Sequence, residues 1–255
     1  MKPEGERRIS EDVLAGRNAV SEALRAGRPL DQVWVARGER TGSIRPLIAQ
    51  CRERGIPIKE VDVRKMDAVC GPHHQGIAAM AACKQTVSVE EILDAAAQKG
   101  EPPFLVIGDE LNDPHNLGAI IRTAEAAGAH GIIIPEHRSV GLTSTVYKAS
   151  AGAVEYLPVA RVGNLVQTIK MLKKRGVWVY GLDMDGAPWC QTDLTGPLAI
   201  VIGSEGSGLG RLVKEECDGI LSLPMAGRIN SLNASVACGI ALYEAARQRG
   251  GVKAR

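Results

Sequence analysis

The chain has 255 residues, 45% hydrophobic and 24% charged, which gives ample core for one large domain or two modest ones. Aromatic residues make up only 3%, with a single Phe, and this argues against base-stacking platforms of the RRM or OB type. The net charge of +2 is uneven: residues 1–84 hold 15 of the 31 Lys+Arg and 11 of the 29 Asp+Glu, so the front end is mildly basic and suits a polyanionic partner.

The opening "MKPEGERRISED" is charged and no apolar run reaches membrane-spanning length, so a cytoplasmic setting without a membrane partner is expected. A helix is predicted over "EDVLAGRNAVSEALRAG", with Val13, Leu14, Val20, Ala23 and Leu24 as its apolar positions. Strand "DQVWVA", helix "IRPLIAQCRERG", and strands "IPIKEVD" and "QGIAAMAA" complete a small α/β module. The domain boundary is expected near 83, followed by a linker with a short helix over 84–102 and a second domain over 103–255. In that domain, strands "FLVIGD", "GIIIPE", "YLPVARV", "VWVYGLD", "LAIVIGSE" and "GILSLPM" are interleaved with helices, the last being "LNASVACGIALYEAARQRG". Short, continuously apolar strands between helices predict a parallel sheet covered on both faces. The six cysteines (Cys51, Cys70, Cys83, Cys190, Cys217, Cys238) show neither C-x-x-C nor zinc spacing, and no metal site is expected.

Three segments carry more polarity or glycine than local structure needs. In "NDPHNLGAIIRTAEAAG" the turn after the strand lacks G-x-G-x-x-G, which disfavours a dinucleotide site and an oxidoreductase. Asn112, Asp113 and Asn116 suit a turn and a helix cap, and Arg122 reads equally as a surface partner of Glu125. "LAIVIGSEGSGLG" brings four glycines to a strand end, where a ligand can approach the backbone, but it lacks the lysine of a P-loop. In "LSLPMAGRINSLNASVACGIALYE", Ser231 can cap the helix, so the additional Asn233 and Ser235 ask for another partner.

Together these segments resemble, in order and spacing, the motifs of the SpoU (TrmH-type) RNA ribose 2′-O-methyltransferases of the SPOUT superfamily. The resemblance is nearest the branch acting on a guanosine of large-subunit (23S) ribosomal RNA. "GRNAVSEAL" and "HHQGIAA" are similar to landmarks of that family's small L30e-like substrate-binding domain. The resemblance implies an α/β fold whose C-terminal parallel-sheet domain has a deep trefoil knot. It also implies S-adenosylmethionine as methyl donor, RNA as substrate and a homodimer formed through the knotted domain. It implies catalytic roles for Arg122, Asn116, Glu205 and Asn233, with Arg122 acting on the 2′-hydroxyl either as an unusual base or as a charged anchor. Cofactor contacts are implied at Gly203, Leu223 and Leu232, with Ile202, Ser222, Met225 and Ser231 as neighbours. RNA contacts are implied at Arg17, Asn18, Lys148 and Ser150. Alternatives are a tRNA substrate and a non-catalytic RNA-binding protein that kept the fold.

Overall fold

The computed structural model describes residues 13–28, 30–38, 43–81, 86–206, 208–228 and 231–251. They divide into two compact units, one formed by the residues before 86 with Leu142–Tyr156, the other by Thr86–Gly141 with the residues from Leu157 onward.

The first unit contains β1 (Val13–Ala15), α1 (Arg17–Arg25), β2 (Leu30–Ala36), α2 (Ile44–Glu53), β3 (Ile58–Val61), α3 (Val63–Cys70) and β4 (Ile77–Ala81). Its sheet has the order β1-β4-β2-β3, with β2 and β3 parallel and the other pairs antiparallel. Val13 and Leu14 were expected in a helix but lie in β1, paired with Met80 and Ala79. The cause is Gly16, whose φ of 105 breaks the helical run so that α1 begins only at Arg17. Helix α3 was not anticipated: it is only eight residues long and three of them are charged, but Asp62 caps it by accepting from the Arg64 amide and Met66 is fully buried.

The second unit contains α4 (Val89–Gln98), β5 (Phe104–Gly108), α5 (Pro114–Ala126) and β6 (Gly131–Pro135). After α6 (Ser144–Ala149), which belongs to the first unit, it continues with β7 (Val159–Val162), α7 (Leu165–Lys174), β8 (Trp178–Pro188), β9 (Leu198–Ile202), α8 (Arg211–Glu216), β10 (Gly219–Ser222) and α9 (Ala234–Gln248). Helix α4 is the short helix expected within the 84–102 stretch, but it joins the core of the unit instead of spanning a linker. Ser88 and Glu91 form a capping box at its start, and Val89, Ile92 and Leu93 join the core beside Leu105, Ile133 and Ile169.

The six strands form one parallel sheet in the order β10-β8-β9-β5-β6-β7. Every residue of β5 and β9 is buried, as a sheet covered on both faces requires. Each fully buried Ile or Leu there contributes about 1.5–3 kcal/mol by leaving water. Register brings the ends of β5 and β9 level with the point where β8 stops pairing with β9, since Gly108 and Leu182 both pair with Ile202. The segments that follow β5 and β9 and the part of β8 beyond Leu182 therefore lie side by side, at the carboxyl edge where open α/β sheets take ligands.

Helix α9 packs against α5, and Gly239 admits Thr123 so closely that an added Cβ would lie 3.4 Å from Thr123 Cγ2. Near the end of α9, the buried Glu244 accepts from Arg247 Nε and Nη2, each at 2.8 Å, and from Gln248 Nε2 at 2.7 Å. The Arg247 hydrogen bonds, with help from Gln248, hold the Glu244 carboxyl down to about 2. A depressed folded-state pKa stabilises the fold above the ordinary carboxylate range, and that contribution is lost as pH falls toward about 2. Glu244→Gln should therefore lower the unfolding midpoint by a few degrees at pH 7, with the gap to wild type closing as thermal scans move from pH 5 to pH 2.

Candidate active site

Among the described residues, the middle of β8, the turn after β9, the segment after β10 and the start of α9 surround a cleft of about 480 Å³. Its apolar wall includes Leu182, Met184, Ile202, Leu223, Met225 and Leu232, and its polar lining includes Asp183, Ser204, Glu205, Ser231 and Asn233. A second cleft of about 350 Å³ lies beside it, lined by Glu110, Leu111, Asn112, Asp113, Asn116, Ser204 and Glu205. Ser204 and Glu205 face both.

The glycine-rich turn folds back on itself through paired backbone hydrogen bonds of 3.1 Å between Ser204 and Gly208. Gly203 lies so close to the Gly208 carbonyl that a Cβ there would collide with it, which is why this position takes no side chain. The far end of the turn is fixed by Asp109, at the end of β5, whose Oδ2 accepts from the Gly210 amide at 2.7 Å. Burial pushes the Asp109 carboxyl up, and the Gly210 hydrogen bond opposes that rise.

Asn116 sits in the first turn of α5, after Pro114 and the capping Asp113, which accepts from the His115 amide. Asn116 Nδ2 donates to Glu205 Oε1 at 2.9 Å, and Asn233 Nδ2 donates to Asn116 Oδ1 at 2.9 Å and also to Glu205 Oε1. Asn233 is itself the cap of α9: its Oδ1 accepts from the Ser235 and Val236 amides at 2.9 and 3.3 Å and from Ser235 Oγ at 2.6 Å. One side chain thus starts a helix with its oxygen and holds a carboxylate with its nitrogen, which answers why a capping segment carries so many polar groups.

Of the residues singled out in the sequence, Gly203, Leu223, Leu232, Ile202, Met225 and Ser231 line the first cleft together. Ser222 does not; its Oγ donates to the Gly186 carbonyl at 2.8 Å behind the wall. Arg122 is exposed on α5 and lines neither cleft, with no hydrogen bond or ion pair to the described residues. It lies six residues beyond Asn116, about 9 Å along the helix and roughly 120° around it. Asn230, in the same segment as Asn233, lies outside the described residues.

The other singled-out residues belong to the first unit. Arg17 donates to the Gln75 carbonyl at 3.1 Å and to Ser43 Oγ at 3.3 Å, holding a turn in which Gln75 has a φ of 52. Asn18 and Lys148 are exposed, and Lys148 Nζ donates to the Cys70 carbonyl at 3.3 Å. Ser150 is fully buried, with its hydroxyl donating to the Tyr147 carbonyl at 3.0 Å.

Sequence reasoning did not single out Leu182, Asp183 and Met184, which form one side of the first cleft. The signal was an acidic, glycine-bearing run, "GLDMDG", directly after an apolar strand. It also passed over Glu110 as a wall of the second cleft.

Comparison with known proteins gives this geometry a chemistry. Residues 103–243 match the SpoU rRNA methylase family, and residues 13–87 match the RNA 2′-O ribose methyltransferase substrate-binding family. A Bacillus subtilis protein assigned to the TrmH family of tRNA/rRNA methyltransferases is 48% identical over 93% of this chain and 96% of its own. The SpoU methyltransferase AviRb of Streptomyces viridochromogenes, solved with S-adenosylmethionine, superposes with a TM-score of 0.83 at 26% identity, over 96% of this chain and 93% of its own. An rRNA methyltransferase of Sinorhizobium meliloti, also solved with S-adenosylmethionine, superposes with a TM-score of 0.77 at 27% identity, over 93% and 87%.

The first cleft suits that cofactor. Its volume falls within the range of about 300–1,000 Å³ usual for small-molecule sites, and its apolar wall with a few polar groups is the lining expected for one. The Glu205 carboxylate complements a sulfonium cation. The chain belongs to the SpoU family of RNA methyltransferases, α/β enzymes of the SPOUT type that use S-adenosylmethionine.

Proposed function

We propose that the protein methylates the ribose 2′-hydroxyl of a guanosine in large-subunit ribosomal RNA and works as a homodimer. The observation that carries this reading is the Asn116–Glu205–Asn233 triangle at the wall shared by the two clefts. S-adenosylmethionine supplies an already activated methyl group. A ribose 2′-hydroxyl is a weak nucleophile at neutral pH, so the protein must align the oxygen with that methyl and accommodate one proton.

Glu205 is assigned to the proton: two amides orient its Oε1 and leave its other oxygen available to the hydroxyl. Arg122 is assigned to the developing alkoxide or the flanking phosphate, because a guanidinium keeps its charge and recognises such oxyanions well. Gly203, Ile202, Ser222, Leu223, Met225, Ser231 and Leu232 are assigned to forming and backing the cofactor cleft. Arg17, Asn18, Lys148 and Ser150 are assigned to presenting RNA: Asn18 and Lys148 by contact, Arg17 and Ser150 by holding the backbone around them.

The second cleft supports guanosine. Its carboxylates and side-chain amides are rich in acceptors, matching the N1–H and N2–H donors of guanine, and they disfavour a phosphate there. Ribosomal RNA is supported by the S. meliloti rRNA methyltransferase, which is similar over nearly the whole chain. A dimer is supported by α9, where Val236 and Tyr243 are 50% and 48% exposed and lie with Ile240 on one face at helical spacing.

Mapping 2′-O-methyl sites in total RNA with and without the gene should show one guanosine of large-subunit rRNA losing its mark. Loss from a tRNA would reassign the substrate, and no loss anywhere would overturn the reading. Arg122→Ala should abolish methyl transfer while leaving S-adenosylmethionine affinity within a few-fold by isothermal titration, because Arg122 lies outside the cofactor cleft. Replacing Val236 and Tyr243 together by Glu should convert a particle of twice the chain mass into a monomer in light scattering.

A further inference from the structure

The strand pair at one edge of the large sheet is interrupted. Ile220 of β10 pairs with Gly181, but the next residue, Leu221, pairs with Ala187. Residues 182–186 of β8 therefore leave the β10 ladder, and Leu182, Asp183 and Met184 of this excursion form one side of the cofactor cleft. An extended segment released from its ladder on one side keeps a fixed course only if something else holds it.

Two attachments do so. At its far end, Ser222 Oγ donates to the Gly186 carbonyl, and Gly186 is pressed so closely on the Ile220 carbonyl that a Cβ would collide with it. At its near end, Lys214 Nζ of α8 donates to Asp183 Oδ2 at 2.7 Å, while Asp183 Oδ1 accepts from the Met184 amide at 2.7 Å. The pair is not a loose surface contact: the Asp183 side chain is 15% exposed and that of Lys214 33%. A Cβ on Gly208 would lie 3.6 Å from Asp183 Oδ2, so the same carboxylate also lies against the glycine-rich turn. Although burial pushes the Asp183 carboxyl up, the Lys214 hydrogen bond and the Met184 amide hold it below its ordinary value. Asp185, 4.0 Å from Lys214 and 87% exposed, is a weaker second partner.

Lys214 is not among the residues lining the cleft. It sits on the helix that follows the glycine-rich turn and reaches across to the β8 excursion, joining two walls that face the same ligand. We propose that Lys214 is a positioning residue for the cofactor, acting through Asp183 to hold the 182–186 excursion as a wall of the S-adenosylmethionine cleft. The proposal rests on the reading of that cleft as the cofactor site. Without Lys214, Asp183 loses its cationic partner at the cleft wall, and beyond Leu182, which stays paired with Ile202, the excursion keeps only its Gly186 anchor. The binding-competent wall is then one of several arrangements, and affinity falls in proportion to its population.

The test is isothermal titration of the full-length protein with S-adenosylmethionine, with thermal unfolding followed in parallel. Lys214→Met and Asp183→Asn should each weaken binding on the order of tenfold. The double variant should be no worse than the weaker single, because both remove one coupled contact. Lys214→Arg should stay within about threefold of wild type, since its guanidinium can still reach the carboxylate. At saturating cofactor, Lys214→Met should keep its kcat, so that the loss appears in Kd and KM alone. Unchanged affinity in Lys214→Met, or losses that multiply in the double variant, would overturn the proposal. If Lys214→Met does not fold, Lys214→Gln, which also removes the cation from Asp183 and lies outside the cleft lining, decides in the same way. Failure of the wild-type protein to bind S-adenosylmethionine would instead overturn the cofactor reading of the cleft, and this inference with it.

Discussion

A carboxylate held by two side-chain amides ties together three segments that are far apart in the chain. Glu205, in the turn after β9, accepts from Asn116 in the first turn of α5 and from Asn233 at the start of α9, and the two asparagines bond to each other. Removing any one member leaves partners with unmade hydrogen bonds, and for partly buried polar groups that costs more than the bond itself contributes. Because Asn233 also caps α9, the placement of the helix and the placement of the carboxylate are one constraint. The two clefts meet at this triangle, so their relation to each other depends on it.

The triangle can form only because the parallel sheet delivers its three segments to one edge. Gly108 and Ile202 are level in register at the ends of parallel strands, so the segments carrying Asn116 and Glu205 start from the same edge. Local close approaches then shape the cavity. Gly203 lies against Gly208 and Gly186 against Ile220, in both cases with no room for a Cβ. Asp109 fixes the far end of the glycine-rich turn through Gly210, and Lys214 joins that side to the β8 excursion. The site is therefore made of backbone held by a few polar side chains, a suitable way to present amides and carbonyls to a ligand.

In the other unit the same principle holds a different surface. The segment Leu142–Tyr156 is fastened there by a buried ion pair, Arg28 to Glu155 at 2.9 Å, with the Arg28 guanidinium 4.4 Å from the Tyr147 ring centre. Removing one partner of a buried pair costs about 3–5 kcal/mol, so this contact strongly favours the observed course of the segment. Tyr156 adds a hydrogen bond to Glu22 at 2.7 Å, and Lys148 donates to the Cys70 carbonyl. The segment lies within residues 103–243, which match the methylase family, yet it packs with the residues that precede 86.

Local chemistry made much of this protein legible in its sequence. Alternating apolar strands and amphipathic helices announced a covered parallel sheet, and three segments with surplus glycine and polar residues marked the elements that meet at the site. Capping and periodicity act over a few residues, so they can be read from a few residues. Other features depended on the fold. Val13–Ala15 is a strand because β4 lies beside it and Gly16 stops the helix, not because of its own periodicity. The run "GLDMDG" becomes a cleft wall only through a break in the β10 register and a lysine on another helix. Arg122, singled out by the family resemblance, lies on a face of α5 outside both clefts, a placement set by the helix phase relative to Asn116. The sequence by itself determined most of the elements, because capping and periodicity are local, and it marked the three segments that meet at the clefts; the tertiary structure decided which residues share a wall, because sheet register and close backbone approach join residues that no local pattern connects.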